Sequence, residues 1–223
     1  FIGGAVDDDG GAIGRATRAI LDAGAVPVLL GGDDSVPIPF IETLAARAPL
    51  TVIQIDAHID WRDEVDGERF GFSSTMRRSS EFENVREIIQ IGGRGPGSAR
   101  IADLEAARDW GVKFFFARDI HRHGLGPVLD AIPAGADIVL AVDVDGLDPS
   151  AVPGVVLPAF GGLSYAQVSE IILTAHEKAN IVGADFVELV PERDPAGLGV
   201  ALVARLVCTA IASAGKPPGA SRV

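Results

Sequence analysis

The chain has 223 residues, 48% of them apolar and 22% charged, which excludes a disordered or fibrous protein and leaves enough interior for a substantial core. Its 19 Lys and Arg against 31 Asp and Glu give a formal net charge of -12, the wrong sign for a nucleic-acid or anionic-membrane partner and the right one for metal ions, amines or guanidinium groups. No apolar run reaches the ~18 residues of a membrane helix, and the single cysteine, Cys208, excludes an internal disulfide, so a cytoplasmic setting is expected. No signal peptide is recognisable in the sequence, which opens at Phe1 without Met. One domain over residues 1–223 is expected, with an N-terminal part missing or incomplete.

In chain order, residues 1–11 are Gly- and Asp-rich, and residues 12–23 have helical periodicity. Strands are predicted at 25–30 (AVPVLL), 50–55 (LTVIQI), 85–91 (VREIIQI), 112–116 (VKFFF), 137–142 (DIVLAV) and 181–187 (IVGADFV). Helices are predicted at 37–47, 98–110, 125–131, 164–179 and 195–214, before a frayed tail over 215–223. Several strands are apolar at almost every position, as for strands covered on both faces. Alternating elements of this kind predict an α/β fold: a mainly parallel sheet with helices on both sides. Two stretches, 57–81 and 146–162, are predicted as long loops following strand ends, where open parallel sheets bind ligands.

Those strand ends are acidic. Asp56, His58 and Asp60 alternate after LTVIQI, and Asp143 and Asp145 after DIVLAV, so each set would share one side of an extended chain. A third end carries Gly31-Gly32-Asp33-Asp34. Were the three ends neighbours, Asp34, Asp56, Asp60, Asp143 and Asp145 would crowd around one imidazole, a cluster that must take up protons or cations. Two divalent ions nearly balance it. An oxygen-rich set with one His suits Mn2+ better than Zn2+ or Cu2+, and two such ions ~3.5–4 Å apart can activate water for hydrolysis.

At these residues the sequence resembles the ureohydrolase family: arginases, agmatinases and guanidino-acid hydrolases. The matching pieces are GGDDS (31–35), DAHID (56–60), STMRR (74–78), VDVDGLDP (142–149), AVPG (151–154), GGLSY (161–165), GADFVELVPERDP (183–195) and LVARLVC (202–208). The resemblance implies a three-layer α/β/α sandwich, a homo-oligomer (trimer or hexamer), and Mn2+-dependent cleavage of a guanidino C–N bond to urea and an amine. It also implies that Asp56 and Asp143 bridge two Mn2+ ions, that His58 and Asp145 complete one site and Asp60 the other, and that Asp60 passes a proton to the leaving amine. Glu188 would hold the guanidinium through paired N–H bonds. The catalytic set is then Asp60, Glu188 and His58, and the metal set Asp34, Asp56, His58, Asp60, Asp143 and Asp145.

Two positions depart from the family pattern. Asp34 stands where the motif usually has a ligating His, and Phe72-Ser73 where many members have His-Gly. Asp can still ligate Mn2+ through oxygen; Phe can neither ligate nor move a proton. An active hydrolase is expected, agmatinase-like from DAHIDW and ELVPERD; the alternative is an impaired partner subunit or guanidino binder. Trp61, Arg62, Asp63 and Glu64 are expected at the pocket mouth, Arg62 suiting a carboxylate tail and Asp63 or Glu64 an amine tail. His121 and His123 are expected at the surface and His176 exposed, Cys208 in the core, and Arg77 and Arg78 paired with acidic neighbours or another subunit. The Gly92–Gly97 loop lacks the spacing of a dinucleotide fingerprint.

Overall fold

The computed structural model describes residues 11–97 and 99–214. The elements run α1 (Gly11–Asp22), β1 (Val28–Leu30), α2 (Pro37–Ala45), β2 (Leu50–Ile55), α3 (Thr75–Ser79), β3 (Val85–Ile91), α4 (Ile101–Trp110), β4 (Lys113–Phe115), α5 (Ala117–His123), α6 (Gly126–Ala131), β5 (Asp137–Asp143), α7 (Tyr165–Lys178), β6 (Asn180–Val187) and α8 (Leu198–Ser213). All strand pairs are parallel, in the order β1-β6-β5-β2-β3-β4.

The strands are apolar at most positions because both faces are covered. Ile53, Ile55, Ile89, Ile138, Leu140 and Val142 point to one face, where they pack with Val128 of α6, Ile171 and Ile172 of α7 and Leu206 of α8. Val52, Ile88, Val139 and Ala141 point to the other, against Phe40, Ile41 and Leu44 of α2, Met76 of α3 and Ala107 of α4. Each Val, Leu, Ile, Phe or Met among them contributes roughly 1.5–3 kcal/mol of burial. The split follows from handedness. Connections β2–β3 and β3–β4 step one way along the sheet, while β4–β5 and β5–β6 step back, and right-handed crossovers put the two groups of helices on opposite faces. The result is the expected three-layer α/β/α sandwich. The chain reverses direction between β2 and β5, which are adjacent, so the crevice beyond their carboxyl ends is where this architecture places a ligand.

Several boundaries differ from expectation. Pro27 leaves only residues 28–30 in β1. Gly197, at φ 66°, delays α8 to Leu198, and the predicted helix from Ser98 begins at Ile101, with Ser98 itself outside the described residues. Two helices were not expected: α3, inside the stretch read as loop, and α5, too short to show a period. Residues 1–10 and 215–223, where a leftover segment and a frayed tail were expected, also lie outside the described residues. Cys208 is exposed rather than core, because the apolar stripe of α8 runs through Val203, Leu206, Val207 and Ala210. His176 is half-buried, not exposed, with its Nδ1 enclosed.

Candidate metal centre

The two motif segments after β2 and β5 do not continue as extended chain. Each turns on its own carboxylate: Asp56 Oδ1 accepts from the His58 N–H at 2.5 Å, and Asp143 Oδ1 from the Asp145 N–H at 2.8 Å. The alternation argument therefore placed the right residues together for the wrong reason. Asp60 sits at φ 43° and Glu188 at φ 64°, left-handed conformations that non-glycine residues seldom adopt and that gather at functional sites. The three acidic ends do meet, Asp34 standing with Asp56 and Asp60, although β1 is not next to β5: β6 lies between them and brings Glu188. The loop after β1 reaches across it, the Asp34 N–H donating to Glu188 Oε1 at 2.9 Å and the Thr75 hydroxyl to the Asp34 carbonyl.

Two ligand trios result. Asp56, His58 and Asp145 can bring one atom each within 4.8 Å of one another, and so can Asp34, Asp56 and Asp60. Asp56 is common to both. His58 Nδ1 lies 3.1 Å from Asp145 Oδ2 and 3.4 Å from Asp56 Oδ1. Asp143 lies outside both trios but lines the same cavity of about 340 Å3, with Asp34, His58, Asp60, Asp145 and Glu188.

The electrostatics show how costly this cluster is without cations. Burial raises the Asp34 carboxyl well above its ordinary range, and Asp60 and Asp143 raise it further. Asp56 is raised by burial, then by Asp60, Asp143 and Asp145, and Asp143 by burial, then by Asp145. Burial pulls the His58 imidazole down, but the hydrogen bond and charge of Asp145 outweigh it and the net shift is upward. Glu188 is raised by burial, partly offset by the Asp34 N–H. Asp34 Oδ2 is enclosed and has no hydrogen-bond partner. An orphaned carboxylate oxygen beside two acidic neighbours fits a divalent cation.

Supporting groups escaped the sequence reading. Gln54 and Gln90, paired across β2 and β3, form a relay: the Gln90 amide donates to Gln54 Oε1 and to the Ile59 carbonyl, and the Gln54 amide donates to Asp56 Oδ2 at 2.6 Å and Asp60 Oδ2 at 3.2 Å. A signal was available, since a Gln ending an otherwise apolar, doubly covered strand must find a partner. Arg94, from the glycine-rich loop, bonds the carbonyls of Gly92, Asp145, Gly146, Leu147 and Ala159. Gly92 in that loop runs at φ 107°, where a Cβ would stand 2.9 Å from the Asp56 carbonyl. Asp148 closes the long loop after β5: Ser150, Gly162 and Gly161 bond its carboxylate and hold it down to about 2.

At the mouth, Trp61 and Arg62 line the cavity as expected, and Asp63 and Glu64 do not. Asp63 is drawn away to Arg78 at 2.5 Å, with Arg69 at 3.3 Å and Arg77 at 4.0 Å. Arg77 and Arg78 thus pair with acidic neighbours, Glu81 included. His121 and His123 are on the surface, His121 beside the Gly161 carbonyl at 3.0 Å.

Residues 10–213 match the model of the Arginase family. The chain belongs to this family. Among curated arginase-family relatives, it is 30% identical over 201 residues to the human mitochondrial guanidino acid hydrolase, covering 87% of this chain and 56% of that protein. To the N(1)-aminopropylagmatine ureohydrolase of Thermus thermophilus it is 36% identical over 174 residues, 77% of this chain and 57% of that one. The crystal structure of agmatine ureohydrolase from Thermoplasma volcanium superimposes with a TM-score of 0.81 at 26% identity, over 94% of this chain and 69% of that one. The chain spans little more than half the length of the curated relatives it matches.

Proposed function

We propose that this chain carries the active site of a Mn2+-dependent hydrolase that cleaves a guanidino C–N bond, releasing urea and an amine. The carrying observation is that two ligand trios sharing Asp56 meet at one cavity, which Asp34, His58, Asp60, Asp145 and Glu188 line. Asp34, Asp56, His58, Asp60, Asp143 and Asp145 would hold two divalent ions, which when bound neutralise the cluster and activate water at neutral pH. Glu188, buried on its left-handed turn, accepts paired N–H bonds from the guanidinium and fixes the plane of its carbon. Asp60, steadied by the Gln54 amide, moves a proton from the attacking water to the leaving nitrogen. His58 is oriented by Asp145.

Relatives named for guanidino acid and aminopropylagmatine hydrolysis support the head group and leave the tail open. Agmatine, which DAHIDW and ELVPERD favour, is the first compound to assay. Family likeness supports a homo-oligomer, and the single cysteine a cytoplasmic home. The test measures bound Mn2+ and urea release over a panel of guanidino compounds. About two ions per chain and Mn2+-dependent urea are expected. Bound metal without urea from any compound defeats the hydrolase and favours a guanidino binder, the reading that Asp34 and Phe72 support.

A further inference from the structure

The cavity has a second half that the chemistry above does not use. Beyond the carboxylates, its wall is Ile59, Trp61, Val65, Phe72, Val156 and Leu157. Trp61 is 3% exposed and packs edge-on against Trp110 at 6.1 Å, so this side of the wall is rigid. Phe72, Val156 and Leu157 are 39%, 43% and 51% exposed at the open end, apolar surface that an occupant would cover. Two of the charged groups there, Arg62 and Asp103, face each other. Arg62 Nε lies 3.4 Å from Asp103, and Arg100, which does not line the cavity, grips the same carboxylate at 2.6 and 2.9 Å. Asp33 turns back on its own loop, its Oδ1 accepting from the Ser35 N–H and hydroxyl. Asp63 and Glu64, the acids that would greet an ammonium tail, lie outside.

We infer that the site selects a guanidine with an uncharged hydrocarbon tail, alkyl or aryl, read by Phe72, Val156 and Leu157. The inference rests on the hydrolase reading for the guanidinium head. A charged tail of either sign would be stripped of water against apolar side chains or would have to break the Arg62–Asp103 pair. A hydrocarbon tail gains about four-fold in affinity for each methylene it buries.

The experiment uses the full-length protein loaded with Mn2+ and compares methyl-, butyl- and hexylguanidine with agmatine and 4-guanidinobutyrate. The kcat/KM for urea release should climb roughly four-fold per methylene until the wall is covered. Butylguanidine, the uncharged counterpart of agmatine, should exceed it at least ten-fold. Leu157→Ala should lower hexylguanidine turnover about ten-fold relative to methylguanidine turnover. Leu157→Asp should move the preference toward agmatine. Agmatine or 4-guanidinobutyrate equalling butylguanidine overturns the inference while the hydrolase stands. So does a Leu157→Asp protein whose oligomeric state changes and whose tail preference does not, which would assign this wall to a subunit contact. Should no compound yield urea, the hydrolase reading fails and calorimetry decides the tail: tighter binding of hexylguanidine than of agmatine supports the subsite, equal or weaker binding ends it.

Discussion

Arg94 offers the sharpest test of how the metal loops are held. Its guanidinium reaches the carbonyls of Asp145 at 2.7 Å, Leu147 at 3.1 Å, Gly146 at 3.2 Å and Ala159 at 2.7 Å, binding the metal-motif turn after β5 to the loop that carries Val156 and Leu157. Arg94→Ala leaves those carbonyls without their donor. Water can replace it at the outer ones. At Asp145 and Gly146, both buried, it replaces the donor poorly. Two hydrogen bonds from a charged donor, each contributing ~1.5–3 kcal/mol, give an expected loss of about 3–4 kcal/mol after partial relaxation. Urea unfolding of the metal-free protein, with a slope of ~1–3 kcal/mol per molar, should then show its midpoint lowered by roughly 1–3 M. Mn2+ affinity should fall ~10–100-fold, because the Asp145 turn is no longer fixed. Arg94→Lys, with a point charge and no fork, should fall between. A midpoint and a Mn2+ affinity both unchanged in Arg94→Ala would refute the view that this side chain organises the site.

Glu188→Gln should lower kcat/KM for every guanidino substrate by roughly 10–100-fold, with Mn2+ content by elemental analysis unchanged, since the lost interaction is a charge-assisted pair to substrate. Asp34→His removes one negative charge from the cluster and should raise Mn2+ affinity or kcat at pH 7; a fall in both would show that the carboxylate oxygen is required. Burial pushes Asp185 up to about 8, against 3.8 for an ordinary Asp. Its folded form therefore keeps a proton that the unfolded chain releases, and stability falls as pH rises from about 4 toward 8. Asp185→Asn removes this penalty, so its stability advantage over the parent should grow by roughly 3 kcal/mol between pH 5 and pH 8; a pH-independent difference in chemical unfolding would contradict the shift.

The sequence by itself determined the layer architecture and named most of the acidic residues that meet at the candidate metal centre. Strands such as LTVIQI and DIVLAV are apolar at almost every position only when helices cover both faces, so they announce the sandwich. Acidic pairs at their ends announce the cation site, because buried like charges need compensation. The tertiary structure decided what depends on order across the sheet and on turns. Strand β6 between β1 and β5 brings Glu188 beside Asp34, and nothing in local spacing records that adjacency. The Gln54–Gln90 relay exists because β2 and β3 happen to be in register. Arg94 acquires its role from carbonyls more than fifty residues away in the chain. The tail pocket is apolar because Asp63 is pulled outward by Arg78, a competition between partners that only the folded chain can settle.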